Sequence, residues 1–477
     1  MGAEMSRAAS FCFVIVCWTA IYLPGLGSLE IKGEEGRRIL PAVTMLDSGN
    51  FLVPQVGSEP YFRKPPLVNW LVAASFKLTG IRNEWTARLP SALCVLFVAL
   101  AFLTIARASL GAVGSLMAAL IWLANVGMIE KGRLIEIEAL YVSLFGLAFI
   151  CWLSWWQQRR SSWLTWTVPW IFLGLGILAK GPVHLLFFYA VVIAVLSYEK
   201  KLRELFGVQH FVGLLIMIAI FAAWAIPYWQ AMRGVTVGQT WAVQLTGRFT
   251  GDDFKLRSWL LNIPRGLAYF LPWTLLLPLV LKAKWGTASE RNLARALSWG
   301  AGLPFLLVNL LPGALPRYSM PALLHACWLM GMTLSAPDVE WRGKVVEAGK
   351  RRRFVIGTAI VASVLLCLYA IAVVPALQKR AKVKPIAARI DGLVPKGETL
   401  YALDPSFQPF LFYVRTHLVY VSRLDELPAN ARYVLVQAER ERELMETERW
   451  RPRRPEPIGR ITDYRKRTVI LARVGEP

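Results

Sequence analysis

Apolar runs dominate the first 376 residues. Eleven of them, at 10–27, 89–107, 112–129, 134–156, 164–180, 182–198, 210–231, 263–283, 296–312, 316–335 and 354–376, are each long enough to cross about 30 Å of hydrocarbon as a helix. A shorter apolar stretch, Leu67 to Leu78, has Lys77 and Arg82 at its end, a pattern that predicts a helix lying along the membrane surface. Basic clusters at Arg159–Arg160, at Lys200–Lys201 with Arg203, at Lys282, Lys284, Arg291 and Arg295, and at Lys350–Arg353 fall on one side when the runs are threaded alternately. Lys and Arg in short loops are retained in the cytoplasm, so the N-terminus is expected inside and everything after residue 376 outside. From Val383 the pattern changes to short β-like runs (Thr399–Leu403, Leu418–Val421, Tyr433–Val436, Thr468–Ala472) around a charged helical stretch, Ala438 to Glu448. The expectation is a polytopic α-helical membrane protein of about 11–13 crossing helices with a small C-terminal α/β extracytoplasmic domain. Its domains are 1–376, with 28–88 as a first outer loop, and 377–477.

Composition agrees with this pattern. Hydrophobic residues make up 56% of the chain and mean hydropathy is +0.45, while charged residues reach 18%, against about a quarter in soluble domains. A net charge of +23 would suggest nucleic acid in a soluble chain. Here the basic residues are short clusters between apolar runs, placed to orient the protein on an anionic leaflet, so nucleic acid is not an expected partner. The six cysteines (12, 17, 94, 151, 327 and 367) all lie within apolar stretches, as small core residues. The four histidines (184, 210, 325 and 417) are too scattered to suggest a metal cluster. No small-residue cleavage site follows Leu23-Pro24-Gly25-Leu26, which predicts an uncleaved signal anchor.

The chemistry concentrates in residues 28 to 66, the first polar segment. Glu34 and Glu35 stand between Gly33 and Gly36, followed by Arg37, Arg38, Arg63 and Lys64. Threading brings Glu34, Glu35, Lys64, Arg88, Glu136, Glu138, Lys180, the loop 232–262 and Arg317 to one outer face. A single such charge reads as a snorkelling side chain; a whole set on one face points to a polar ligand. A transporter would carry its ionisable groups at the bilayer midplane, in repeated halves. The chain has no internal repeat, and its charges lie at the ends of the runs.

Several blocks in order resemble one family. They are Gly33-Glu34-Glu35-Gly36-Arg37, Met45–Phe51, Glu59–Leu67, Ala87–Ser91, Leu178-Ala179-Lys180-Gly181-Pro182, Pro316–Leu323 and, in the tail, Ser406–Tyr413. Together they look like the bacterial ArnT and protein-mannosyltransferase-like family of GT-C glycosyltransferases, which use polyprenyl-phosphate-linked sugars. The resemblance implies an inverting transfer from an undecaprenyl phosphate carrier to an extracytoplasmic acceptor. That acceptor is lipid A in the aminoarabinose transferases and protein or another envelope glycan elsewhere, at the bacterial inner membrane.

Such a transfer leaves negative charge on a lipid phosphate and positive charge on the sugar, so cations should meet the first and carboxylates the second. On that basis Glu34 and Glu35 are expected to be catalytic. Lys64, Arg88, Lys180, Arg317 and Tyr318 are expected to bind the donor phosphate, and Arg37, Tyr61 and Glu138 the acceptor or sugar. The family has Asp-Glu where this chain has Glu34-Glu35, and Asp where it has Glu138, so the longer acid is used twice. Paired acids leave room for a divalent cation, whose presence the sequence leaves open. Another reading is an envelope assembly protein that keeps the architecture without the chemistry.

Overall fold

In a computed structural model, the described residues are 5–57, 59–61, 64–232, 254–341, 344–405 and 407–475. Arg63 and residues 233–253 of the loop 232–262 lie outside them. Six of the described helices are long and apolar enough to cross a membrane: Glu84–Thr104, Ile137–Gln157, Ser162–Ala179, Val208–Ala231, Ala288–Leu310 and Ala348–Gln378. Two more spans are bent pairs, and three of the expected runs form the shorter apolar helices Arg7–Tyr22, Val183–Tyr198 and Ala322–Ser335.

Three runs expected as straight spans are broken, each for a local reason. The run 112–129 becomes Arg107–Leu123 and Val126–Gly132, bent by 58°. Asn125 sits at the bend: its Nδ2 donates to the carbonyls of Ile121 and Trp122, ending one helix, while its Oδ1 accepts the Met128 N–H and starts the next. The run 263–283 bends by 76° between Leu256–Ala268 and Trp273–Lys282, because Pro272 has no N–H to continue the ladder. In 316–335, Pro316 and Pro321 confine Pro316–Ser319 to a single tight turn, and the α-helix begins only at Ala322. Its 14 residues reach about 21 Å, and Arg317 and Tyr318 are left on the turn ahead of it.

The chain divides into two compact units, one of 1–24, 63–67 and 88–370, the other of 25–62, 68–87 and 371–477. In the first, Ile137–Gln157 is the innermost helix, 94% buried over its apolar window, whereas Ala348–Gln378 is only 11% buried and turns Val361, Val364 and Leu365 outward, as suits a helix facing lipid. With no hydrophobic drive between helices in hydrocarbon, close approach comes from small residues and from buried donors that find carbonyls. Trp18 Nε1 donates to Ala92 O (2.8 Å), Trp122 Nε1 to Val95 O (2.9 Å) and Tyr22 OH to Leu123 O (2.9 Å). Gly213 lies directly against the carbonyl of Trp166 and the ring of Trp170, where any Cβ would collide with backbone. Gly213→Ala is therefore expected to separate Val208–Ala231 from Ser162–Ala179 and to cost about 2 kcal/mol, read as a lowered melting temperature in detergent.

The second unit is built on a five-stranded sheet in the order His417–Val421, Thr399–Leu403, Tyr433–Gln437, Thr468–Arg473, Glu456–Thr462. The first three strands pair in parallel, and Thr468–Arg473 pairs antiparallel with the strand on either side of it. Four of these strands were anticipated; Glu456–Thr462, with its Pro and Gly, was not. The expected helix Ala438–Glu448 is only a short turn followed by Glu441–Glu446.

Residues 28–33 pack with this sheet domain. Ile31 N–H donates to Tyr413 OH (2.6 Å), Gly33 N–H to Tyr464 OH (2.7 Å), and Gln378 Nε2 to Ser28 O (2.8 Å). The Glu30 carboxylate, 6% exposed, accepts the N–H groups of Lys382, Val383 and Lys384 at 2.7, 2.8 and 3.0 Å and so caps the helix Lys384–Leu393. Burial alone would raise its pKa, but these three N–H donors and Lys32 outweigh it and hold the carboxyl below the usual range. A depressed folded value means stability that is present above the ordinary carboxylate range and lost as pH falls through the folded one. The unit is thus expected to melt earlier as pH drops below about 4.5, and Glu30→Gln to abolish that part of the dependence at a cost of about 1–3 kcal/mol at neutral pH. Thermal melts across pH on both forms measure it.

Candidate active site

The first unit gathers a charged cluster at the ends of three apolar elements. Glu136 is the extended residue capping Ile137–Gln157, and Glu138 stands in the first turn, where the helix dipole favours an anion. Lys180 ends Ser162–Ala179, ahead of Gly181 (φ +129°) and Pro182, which turn the chain sharply. Arg317 and Tyr318 come from the proline-bounded turn. Lys180 Nζ and Arg317 Nε both lie 3.2 Å from Glu138 Oε1, so one carboxylate is shared by two cations. Glu138 and Lys180 are nearly enclosed, with side-chain exposures of 7% and 10%, whereas Arg317 is 34% exposed and is the member able to pivot toward a ligand. The Lys180 ammonium also sits 5.0 Å from the ring centre of Tyr141 and 4.7 Å from that of Tyr318. Beside this group, Lys131 Nζ meets Glu136 (3.1 Å) and Glu130 (2.8 Å). Three cations and three carboxylates therefore balance in a mostly apolar setting. Lys64 is half-buried in the turn before Leu67–Thr79, and Arg88 is 2% exposed within Glu84–Thr104.

The second unit holds the Glu34 turn. Gly33–Glu35 forms one tight turn leading into the helix Gly36–Ser48, and the two acids diverge there. Glu34 keeps 40% of its side chain exposed and takes a fork from Arg37 Nη1, 2.9 Å to each carboxylate oxygen, with Arg38 4.0 Å away. Glu35 is 5% exposed and folds back onto the Lys32 N–H (3.4 Å) as a cap. The Arg37 guanidinium lies over the Phe407 ring at 3.9 Å. Arg38 donates to Tyr61 OH (2.8 Å), and Asn69 Nδ2 donates to the Arg38 carbonyl (2.8 Å). Glu34, Arg37 and, through Arg38, Tyr61 thus form one assembly, while Glu35 is turned into the fold.

Among the described residues no three His, Cys, Asp or Glu side chains converge in a way that would hold a cation. Glu34 is engaged by arginine and Glu35 by backbone, so this pair does not suit a metal held by the protein alone. Sequence reasoning missed Tyr141, Lys131, Glu130, Asn69, Phe407 and Tyr464. Tyr141 follows Glu138 by three residues on a helix, which puts both on one face, and Lys131 with Glu130 ends an apolar run as an out-of-place charge pair; both were findable. Phe407 lies in the Ser406–Tyr413 block, but it and Tyr464 are hundreds of residues from Glu34, and nothing local ties either of them to it.

Residues 63–227 match the family described as dolichyl-phosphate-mannose-protein mannosyltransferase. Curated relatives include an undecaprenyl phosphate-alpha-4-amino-4-deoxy-L-arabinose arabinosyl transferase of Pseudomonas fluorescens, 28% identical over 69% of this chain and 60% of that protein. Another, of the same description, is from Pseudomonas savastanoi pv. phaseolicola, 28% identical over 86% of this chain and 75% of the relative. The chain thus spans about three fifths to three quarters of the length of these relatives. Among solved structures, ArnT from Cupriavidus metallidurans bound to undecaprenyl phosphate superposes with a TM-score of 0.72 at 18% identity, over 98% of each chain. Its apo form gives 0.69. Likeness at that identity speaks for the fold.

Proposed function

We propose that this chain, a multi-pass membrane protein of the ArnT and protein-mannosyltransferase-like GT-C class, moves a sugar from undecaprenyl phosphate to an envelope acceptor, foremost aminoarabinose to lipid A. The carrying observation is Glu138 held between Lys180 and Arg317 at the ends of apolar helices. In the reaction an acceptor oxygen attacks the anomeric carbon. The bond from that carbon to the carrier phosphate breaks, its electron pair stays on the phosphate, and undecaprenyl phosphate leaves with one more negative charge. Cations that strengthen their hold as that charge grows accelerate the step. Arg317 offers a bidentate fork and Lys180 a point charge, with Lys64, Arg88 and Tyr318 as further donors toward the carrier. Glu138 offsets both cations in an apolar setting, and as they turn to the phosphate its carboxylate is released toward the sugar. Glu34, set by the Arg37 fork, orients the acceptor or sugar. A phosphate acceptor brings no proton to remove, whereas a hydroxyl acceptor would use Glu34 as its base. The site faces the periplasm, with the N-terminus in the cytoplasm of the bacterial inner membrane.

The test is reconstitution of the full chain in liposomes with labelled aminoarabinosyl undecaprenyl phosphate and lipid A. Label is expected in lipid A; label in protein or another glycan redirects the acceptor, and no transfer from the carrier to any acceptor defeats the proposal.

A further inference from the structure

Within the second unit a groove of about 930 Å³ opens between the turn Arg82–Glu84, the helix Lys384–Leu393 with the turn after it, and the segment Phe412–His417. Its volume suits a disaccharide-sized ligand. Four cations line it, Arg82, Lys384, Lys396 and Arg415, against three carboxylates, Glu84, Asp391 and Glu398.

The carboxylates are already committed. Glu84 Oε1 receives Lys384 Nζ (2.7 Å) and Tyr413 OH (3.0 Å). Asp391 accepts the N–H groups of Arg415 and Thr416 and the Thr416 hydroxyl (2.8 Å). Glu398 pairs with Arg432, which is not part of the wall (3.4 Å). Arg82 is spent on Asp47 (2.7 Å). That leaves Lys396 and Arg415, both exposed and with no ion pair to either side chain among the described residues; because Asp391 meets only neutral N–H and O–H donors and keeps its charge, four cations against three carboxylates leave the wall a net charge of +1. Phe412, stacked on Phe76 on one side (6.4 Å between ring centres), and Tyr413, with the Lys384 ammonium 5.1 Å from its ring centre, add aromatic surface to the same wall. Two exposed cations without carboxylate partners, beside aromatic side chains in a concave site, match a saccharide carrying phosphates better than a neutral glycan.

The geometry points to a docking site for a phosphorylated saccharide headgroup, with Lys396 and Arg415 meeting its phosphates. Resting on the transfer reading above, this ligand is the headgroup of the acceptor, caught by the second unit before reaction. Its binding weakens with salt, since both cations stand in solvent.

The experiment titrates the full-length protein in nanodiscs with an acyl-free bisphosphorylated glucosamine disaccharide and, separately, with its dephosphorylated form. Wild type is expected to bind only the phosphorylated sugar. Lys396→Glu with Arg415→Glu is expected to weaken binding roughly tenfold and raise KM for the acceptor with kcat unchanged. Lys396→Gln with Arg415→Gln, which adds no repulsion, should lose about threefold, and so decides the matter if charge reversal lowers the melting temperature. Equal binding of both sugars, no binding by wild type, or unchanged affinity in the charge variants overturns the site. If transfer fails yet disaccharide binding persists and depends on these two residues, the groove stands and the transfer reading falls. Transfer with an unaltered acceptor KM in both variants removes the groove and leaves the transfer reading intact.

Discussion

Glu34→Gln is expected to lower sugar transfer by roughly 10²–10⁴-fold while leaving the melting temperature nearly unchanged. Its side chain is 40% exposed and, among the described residues, shows no hydrogen bond to backbone; its partner is the Arg37 fork, a part-buried pair worth about 1 kcal/mol. Glu35→Gln should behave in the opposite way. Buried at 5% and folded onto the Lys32 N–H, Glu35 is expected to cost stability first and activity only through the shape of the turn. Glu34→Asp tests the longer acid directly: a displacement near 1 Å is enough to cost on the order of a hundredfold in rate. Transfer assays and melts on the three variants separate these roles. A Glu34→Gln enzyme with full turnover would remove Glu34 from the chemistry.

Glu138→Gln is expected to destabilise the first unit by about 3 kcal/mol and to lower transfer by about a hundredfold or more. Deleting one partner of an enclosed ion pair leaves the other charges uncompensated, and here two cations lose their shared counter-ion at once. Lys180→Met added to Glu138→Gln should recover most of the lost stability, because an apolar side chain replaces the stranded ammonium between the Tyr141 and Tyr318 rings. It should recover no activity. Arg317→Met, one third exposed in the wild type, should lose transfer with little change in melting, as a side chain able to leave Glu138 for a ligand would. If Glu138→Gln melts like the wild type, the shared carboxylate is not holding the two cations.

The positions of the spans were legible in the sequence because a helix in hydrocarbon satisfies its own backbone and needs an apolar surface, so each crossing shows as a long apolar run. The breaks were less legible. A single Asn inside an apolar run reads as tolerated polarity, yet Asn125 binds backbone on both sides and restarts the helix. Pro316 and Pro321 were visible, but their effect, putting Arg317 on a turn, follows only once both are seen to bound one short segment. The cluster of Glu138, Lys180, Arg317 and Tyr318 could be foreseen because charges at run ends are rare and alternate threading sorts them to one side. What separates Glu34 from Glu35 could not, since adjacent identical residues differ only in which way a tight turn aims them. The partnership of the first loop with the tail was invisible for another reason. Tyr413, Tyr464 and Phe407 meet residues 31 to 37 across gaps of more than 350 positions, where no periodicity reaches.

That partnership has a bearing on how the protein is made. Ile31 and Gly33 donate to, and Glu30 accepts from, residues between 382 and 464. During synthesis the segment carrying Glu34 therefore lacks these partners until residues 382 to 464 have been made. A polypeptide truncated near residue 370 would insert its helices and still present that segment without its scaffold, open to proteases and unable to hold Glu34 in place.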